Sequence, residues 1–139
     1  MPERFSTFDH TGDLGLEVEA GGAGRLYALA AEALCAQIAL AGPAADDVET
    51  RLVLEGDDPR DLFVHWLNSV LLESDLRHAV WTHVEVSSLG PAHLEARLSG
   101  QRLEPGRQVR LREIKAVSHH ALELELGPER FRARMVLDI

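Results

Sequence analysis

The stretch DHTGDLG, residues 9–15, combines acidic side chains with a backbone that can turn sharply. Asp9 and Asp13 lie four residues apart with His10 between them, and Gly12 and Gly15 give the backbone freedom to turn sharply. Two carboxylates on a short loop can present several oxygens to a hard cation. The alternative is a plain turn in which Asp9 caps its own backbone, and the spacing lacks the full register of an EF-hand loop.

A second pair of acidic groups lies at the C-terminal end, where Asp138 is followed by Ile139. The side-chain carboxylate of Asp138 and the α-carboxylate of Ile139 are on adjacent residues, so they repel each other unless a cation lies between them. If the fold brings Asp13 beside them, the three carboxylates form a hard oxygen site. Calcium or magnesium would suit it, and manganese is a further candidate. The alternative is a frayed terminus.

The segment EIKAVSHH, residues 113–120, is the third candidate. A hairpin turn near Gly127 would place Asp138 opposite His119 or His120 on the partner strand. A histidine there could orient a carboxylate or bind a softer metal, and we expect orientation rather than binding. An ordinary strand residue is the competing interpretation.

The basic residues are unusual in kind, since thirteen are arginine and Lys115 is the single lysine. A compact ammonium is needed at that position, or one exposed lysine has no special role; on composition alone the second interpretation is favoured. Arginines concentrate in segment 102–112. A phosphate or an acidic partner surface could dock there, unless the segment is a solvated loop.

The composition, 45% hydrophobic and 27% charged, is that of an ordinary globular protein, and we expect residues 1–139 to form one domain. The single cysteine, Cys35, excludes an internal disulfide framework. We find no signal peptide and no apolar run approaching the ~18 residues that span a bilayer, so we expect a cytoplasmic protein. The net charge of −9 argues against non-specific binding of nucleic acid, although not against a partner that handles it.

Local periodicity predicts the elements that position these residues. Alternating apolar residues predict a strand at 14–18, and helical spacing predicts a helix from about Arg25 to Leu40 with Cys35 in its core face. Val48 to Leu54 is a second strand. A strong start at Asp57-Asp58-Pro59 predicts a helix that runs to Arg77-His78. Its buried stripe is predicted to consist of core residues: Leu62, Phe63, Trp66, Leu67, Val70 and Leu71.

The remaining residues predict strands. Residues 80–89 and 93–99 form one hairpin, and residues 122–126 and 131–137 form another, with glutamates set against arginines on one face. The fold class is therefore α+β, with two helices packed on one face of a mixed, mostly antiparallel sheet.

Four collinear stretches together resemble the archease family: DHTGDLG, DLFVHWLNSVLL, IKAVSHHALEL and ARMVLDI. They span nearly the whole chain, and the first and third are specific as a pair. The family usually has Ala where this chain has Gly12, a small-for-small change that should not disturb a turn. Segment 100–112 looks variable, so the resemblance implies nothing for it.

The resemblance implies an accessory protein of an RtcB-type RNA ligase rather than an enzyme. That ligase joins RNA ends bearing a 3′-phosphate or cyclic phosphate to a 5′-hydroxyl, in tRNA splicing (a step of tRNA processing) and RNA repair. Archease-like proteins promote guanylylation and multiple turnover of the ligase and broaden its nucleotide use. We therefore expect indirect contact with GTP and RNA ends in the complex, and no membrane.

The resemblance also implies a metal site at Asp13, Asp138 and Ile139, and an important lysine at Lys115. Calcium is the expected ion, with magnesium or manganese as alternatives. Four further residues are expected to support these groups rather than bind the metal: Asp9, His10, His119 and His120.

Two other functions use the same residues or architecture. A stand-alone metal-dependent phosphohydrolase would use the same carboxylates, although the sequence lacks a phosphate-cradling glycine loop and a nucleophile elbow. A general chaperone-like binding module would rest on architecture alone.

Overall fold

A computed structural model describes residues 3–139, which form two α-helices and a series of antiparallel strands. In chain order the elements are β1 (Arg4–His10), β2 (Asp13–Ala20), α1 (Ala23–Ala36), β3 (Ala39–Leu40), β4 (Val48–Glu55), α2 (Pro59–Arg77), β5 (Ala79–Leu89), β6 (His93–Arg102), β7 (Val109–Arg110), β8 (Ala116–Val117), β9 (Glu123–Leu126) and β10 (Phe131–Asp138). The predicted α+β class is confirmed. Neither helix is long and apolar enough to cross a membrane.

The strands divide among three sheets, where the sequence analysis predicted one. A five-stranded sheet has the order β1-β2-β10-β8, and β9 also pairs with β10. A three-stranded sheet has the order β4-β6-β5, and β3 pairs with β7 alone. Alternation along a strand shows that it has a buried face, but it does not show which strand lies next to it.

Helix α2 begins and ends where its sequence predicts. The Asp58 side chain caps the helix by accepting a hydrogen bond of 2.8 Å from the Asp61 N–H, and Pro59 occupies the first turn. The helix ends at His78, which adopts a left-handed conformation with φ 52°. Its predicted apolar stripe is buried: Leu62, Phe63, Trp66, Leu67, Val70 and Leu71.

Helix α1 is shorter than predicted, because it ends at Ala36 rather than near Leu40. The apolar spacing continues through Ile38, but the chain leaves the helix and Ala39–Leu40 pairs with Val109–Arg110. The Ile38 carbonyl accepts a hydrogen bond of 2.8 Å from the Leu111 N–H. Pairing with a distant segment therefore overrides the local helical pattern.

The core lies between the helices and the two larger sheets. Helix α1 contacts β2 and β5, and α2 contacts β4, β5 and β8. The Trp66 indole N–H donates to the Tyr27 carbonyl at 2.9 Å, and the Tyr27 and Phe63 rings meet edge to face at 5.0 Å. Trp66 and Phe63 are therefore core residues, as predicted, and Cys35 is fully buried among them.

Strand β1 is absent from the predicted element order. It pairs with β2 along its whole length but is exposed at most positions, so its sequence carries only a weak apolar pattern. Its presence makes the DHTGDLG stretch the tip of a β1–β2 hairpin.

Charged side chains line the strands around β10, as predicted for its hairpin with β9. Arg132 and Arg134 stand opposite Glu125 and Glu123 in the register. The shortest ion pair joins Arg132 to Glu17 on β2, at 2.7 Å. The hydrogen bond from Arg132 holds the pKa of the Glu17 carboxyl below its usual range. Ion pairs between arginines and glutamates therefore connect β10 to both β2 and β9.

Candidate metal site

The DHTGDLG stretch forms a tight hairpin whose turn joins His10 to Asp13, which are partners in the register. Gly12 adopts φ +74°, a conformation that residues with a side chain rarely adopt. The expectation that Gly12 and the family's usual Ala are equivalent is wrong for this turn, since an Ala would be strained at that φ.

Gly15 has a different role from the turn role that its position suggested. It lies within β2 and faces Phe8 on β1, and a Cβ atom at this position would collide with the Phe8 ring. The Arg134 guanidinium lies 3.9 Å from the centroid of the same ring. The aromatic ring thus covers the glycine and ties the hairpin to β10.

Asp13 and Asp138 lie side by side on neighbouring strands, the arrangement that a shared site for their two carboxylates requires. The β2–β10 register pairs Leu14 with Leu137, and one further step along both strands reaches Asp13 and Asp138. Residues directly opposite each other share one face of a sheet, with Cβ atoms about 5 Å apart. Ile139 follows Asp138 and is 45% exposed.

Lys115 reaches the same end of the sheet from the other side of β10. Its backbone N–H donates a hydrogen bond of 2.8 Å to the Asp138 carbonyl, and its side chain is exposed. Ala116 is the residue opposite Asp138. Asp13, Asp138 and Lys115 therefore lie on three adjacent strands or their immediate extensions.

The register predicted for the histidines opposite Asp138 is wrong. Extending the β9–β10 register would place His119 opposite Asp138, but Ala116 takes that place. The chain turns between β8 and β9, with Ala121 at φ 60°, and these turn residues break the register.

The histidines themselves lie in this turn. His119 Nε2 is 3.9 Å from Asp61 Oδ1, and the His120 N–H donates to Ser118 Oγ. Both are exposed, and neither pairs with the strand residues at the acidic end of the sheet.

His10 is the histidine that contacts the acidic pair. Its Nδ1 lies 3.6 Å from Asp13 Oδ2, which is too long for a hydrogen bond, and the atom is buried without a partner among residues 3–139. Asp9 pairs with Leu14, so strand alternation places it on the face opposite Asp13. Of the two, only His10 shares the face of Asp13.

Asn68 on α2 positions the segment that carries Lys115. Its amide N–H donates to the Val117 carbonyl and its carbonyl accepts from the Val117 N–H, both at 2.9 Å. Asn68 was not among the site residues predicted from the sequence. A polar residue beside the apolar stripe of α2 was the available signal.

The donor set at this end of the sheet fits a hard divalent cation. Asp13 and Asp138, two carboxylates on one face, offer only oxygen atoms. In the part of the chain that the structure describes, no three His, Cys, Asp or Glu side chains cluster as metal ligands. A cation held here would therefore need oxygen ligands besides these two side chains.

Comparison with known proteins places this chain and its fold in a family. The sequence matches the family model described as "Archease protein family (MTH1598/TM1083)" over residues 5–139. The chain is 25% identical to the protein archease of Pyrococcus abyssi, over 99% of both chains. It is also 25% identical to that of Sulfolobus acidocaldarius, over 98% of this chain and 99% of the relative.

The solution structure of Methanobacterium thermoautotrophicum protein 1598 shares the fold, with a TM-score of 0.79. It covers 97% of this chain and 98% of its own, at 24% identity. The architecture is therefore that of a known small α+β protein. The chain belongs to the archease family, as its four motifs indicated.

Proposed function

We propose that this chain is a non-enzymatic activator of an RtcB-type RNA ligase, promoting guanylylation and multiple turnover in tRNA splicing or RNA repair. Membership of the archease family supports an RNA-related accessory role. The observation that carries the proposal is that Asp13, Asp138 and Lys115 lie at one end of the five-stranded sheet, on neighbouring strands or directly beside them. We place this activity in the cytoplasm, where a free thiol such as Cys35 is stable.

The acidic residues would hold a divalent metal ion, with calcium expected and magnesium or manganese as alternatives. Asp13, Asp138 and the α-carboxylate of Ile139 are the proposed ligands, and His10 would orient Asp13. A bound cation would supply a positive charge to which phosphate oxygens are attracted. Lys115 would add a second positive charge from the neighbouring segment.

Exposure and a rigid backbone support entry of this site into a partner's active site. Lys115 and Ile139 are exposed. Behind them, the backbone is fixed by the β2–β10 pairing and by the two hydrogen bonds between Asn68 and Val117. A rigid support keeps charged groups at fixed positions, which is what stabilisation of a developing charge requires.

The central test is a ligase guanylylation assay with and without this protein. We expect Asp13→Asn and Asp138→Asn each to reduce the stimulated rate by tenfold or more, since each loses one metal-binding carboxylate (~1.4 kcal/mol or more). Lys115→Gln should reduce stimulation too, without changing metal affinity greatly. Asp57→Asn is the matched control, because Asp57 is exposed in the loop before α2.

Circular dichroism and thermal unfolding should show that all variants remain folded. Stimulation equal to wild type by both aspartate variants would refute the proposal.

The terminal ligand has its own test. Adding several residues after Ile139 converts its α-carboxylate into a peptide group, which removes a negative charge from the acidic site. We expect calcium affinity, measured by titration calorimetry on the protein alone, to fall about tenfold. An extended protein that binds calcium as tightly as the parent would show that Ile139 is not a ligand.

The phosphohydrolase alternative predicts a different result. The protein alone, supplied with divalent metals, would release phosphate from nucleotides or RNA ends. We expect no such release from the wild-type protein. Turnover that disappears in Asp13→Asn would favour the hydrolase over the activator.

A further inference from the structure

A cavity of about 380 Å³ lies between the C-terminal part of α2 and residues 110–115, next to the segment that carries Lys115. Its volume falls within the range of small-ligand sites, about 300–1,000 Å³. Ile38, Leu71 and Leu103 supply apolar lining, and Arg110, Arg112 and Lys115 supply positive charge. A lining that combines apolar side chains with cations suits an anion that also carries a flat or apolar part.

Two of these cations have no side-chain partner in the part of the chain that the structure describes. Within residues 3–139, neither Arg110 nor Lys115 has a carboxylate within 4.0 Å or a side-chain hydrogen bond. Arg107, from the same basic segment, differs from them. It donates to Asp47 at 2.8 Å and to the Ala45 carbonyl at 3.1 Å, so it braces the fold.

Arg112 and the backbone around it hold the cations in place. Arg112 donates to the Gln37 carbonyl at 2.6 Å, which offsets the negative end of α1. Arg110 pairs with Ala39, and the Leu111 N–H donates to Ile38. This part of the basic segment is therefore fixed to the fold rather than free in solvent.

The other polar groups of the cavity set its balance of charge. Asp75 and Glu113 oppose the three permanent cations. His78 also lines the cavity at the end of α2, where its N–H bonds the Ser74 carbonyl. Among the described residues, the buried Ser74 hydroxyl has at most a weak hydrogen-bond partner, the Cys35 thiol, so it remains available as a donor.

We propose that this cavity binds a phosphate-bearing small molecule of mononucleotide size. Arg110 and Lys115 contact the phosphate, Ser74 donates a hydrogen bond to the ligand, and the apolar side chains of the lining pack against its ring. Arginine suits this role because its planar guanidinium matches phosphate oxygens. The proposal does not rest on ligase activation, since it concerns binding by the isolated protein.

The test is calorimetric titration of the whole chain in EDTA with AMP, adenosine and inorganic phosphate, with amide NMR shifts recorded in parallel. We expect AMP to bind most tightly and to shift the amides of three residues that line the cavity, Ser74, Arg110 and Arg112. Arg110→Gln should weaken AMP binding about tenfold through loss of a charged hydrogen bond. Asp75→Asn should strengthen it about threefold by removing an opposing charge.

Arg51→Gln is the matched control, because Arg51 is exposed on β4, outside the cavity lining, and its loss changes net charge equally. It should leave AMP affinity within about twofold of wild type. Three results would overturn the proposal: adenosine binding as tightly as AMP, an equal loss in Arg51→Gln, or no shifts at the three cavity amides. The EDTA leaves the acidic residues without metal, so a failure here is distinct from a failure of the activator proposal.

Discussion

Asn68 connects a helix of the core to the segment beside the candidate site. Both polar atoms of its side chain are used, and both bond the backbone of Val117. Since Val117 lies two residues after Lys115, the side-chain amide of Asn68 fixes the backbone next to the lysine. A residue with no chemical role of its own thus determines where a charged group lies.

We predict that Asn68→Ala destabilises the protein by about 2 kcal/mol, because it leaves the N–H and carbonyl of Val117 without partners. Denaturant unfolding measures the loss of stability, and hydrogen exchange at the Val117 amide measures the local effect. Leu72→Ala, at an exposed position of the same helix, is the control and should change stability little. If the Val117 amide exchanges at the same rate in Asn68→Ala and wild type, the hydrogen bonds from Asn68 do not hold this segment in place.

At the scale of the elements, β10 is the strand on which the site depends. It pairs with β2, β8 and β9, so Asp13 and Lys115 are positioned relative to it from either side. Its arginines face glutamates on both β2 and β9. Arg132 is the least exposed of these arginines, with 13% of its side chain exposed. Its ion pair with Glu17 is therefore the one that solvent screens least.

We predict that Glu17→Gln lowers stability by about 0.5–1 kcal/mol at pH 7, since it removes a partly exposed ion pair. Arg132 lowers the pKa of Glu17 in the folded protein. The carboxylate therefore stabilises the fold above its unfolded pKa of about 4.3, and this contribution is lost as pH falls through the lowered folded pKa.

The difference in unfolding free energy between Glu17→Gln and wild type should be full at pH 7 and shrink below about pH 4. Glu129→Gln, an exposed position in the β9–β10 turn, serves as the control and should show little difference at any pH. A gap between Glu17→Gln and wild type that stays constant down to pH 2 would contradict the assignment.

At the scale of the whole molecule, one core holds the sheets together. Helix α1 packs against β2 of one sheet and β5 of the other, so its small buried residues lie where the layers meet. Cys35 is among them, and burial raises the pKa of its thiol to about 12. A thiol in that environment is a packing residue without reactivity.

We predict that the Cys35 thiol of the native protein does not react with Ellman's reagent at pH 8 and reacts fully in denaturant. Ser88→Cys, at an exposed position on β5, supplies a thiol that should react at once in the folded state. Native Cys35 reacting as fast as the introduced cysteine would show that the core opens around α1.

Much of this structure could be predicted from the sequence. The cap at Asp58 and the apolar stripe of α2 are local patterns, and the helix forms at the predicted residues. The two C-terminal hairpins follow from alternation and from the turns that interrupt it. Asp13 and Asp138 could be named as partners because the motifs of one family carry both, and the strands do pair at that point.

Only the tertiary structure decided the remainder. It placed Ala116 rather than His119 opposite Asp138, because the turn between β8 and β9 breaks a register that local patterns would continue. It divided the strands among three sheets and ended α1 early to pair Ala39 with Arg110. Periodicity reports which face of an element is buried, whereas register and sheet membership depend on contacts between residues far apart in the chain. The end of the sheet where Asp13, Asp138 and Lys115 lie on neighbouring segments is built from such contacts.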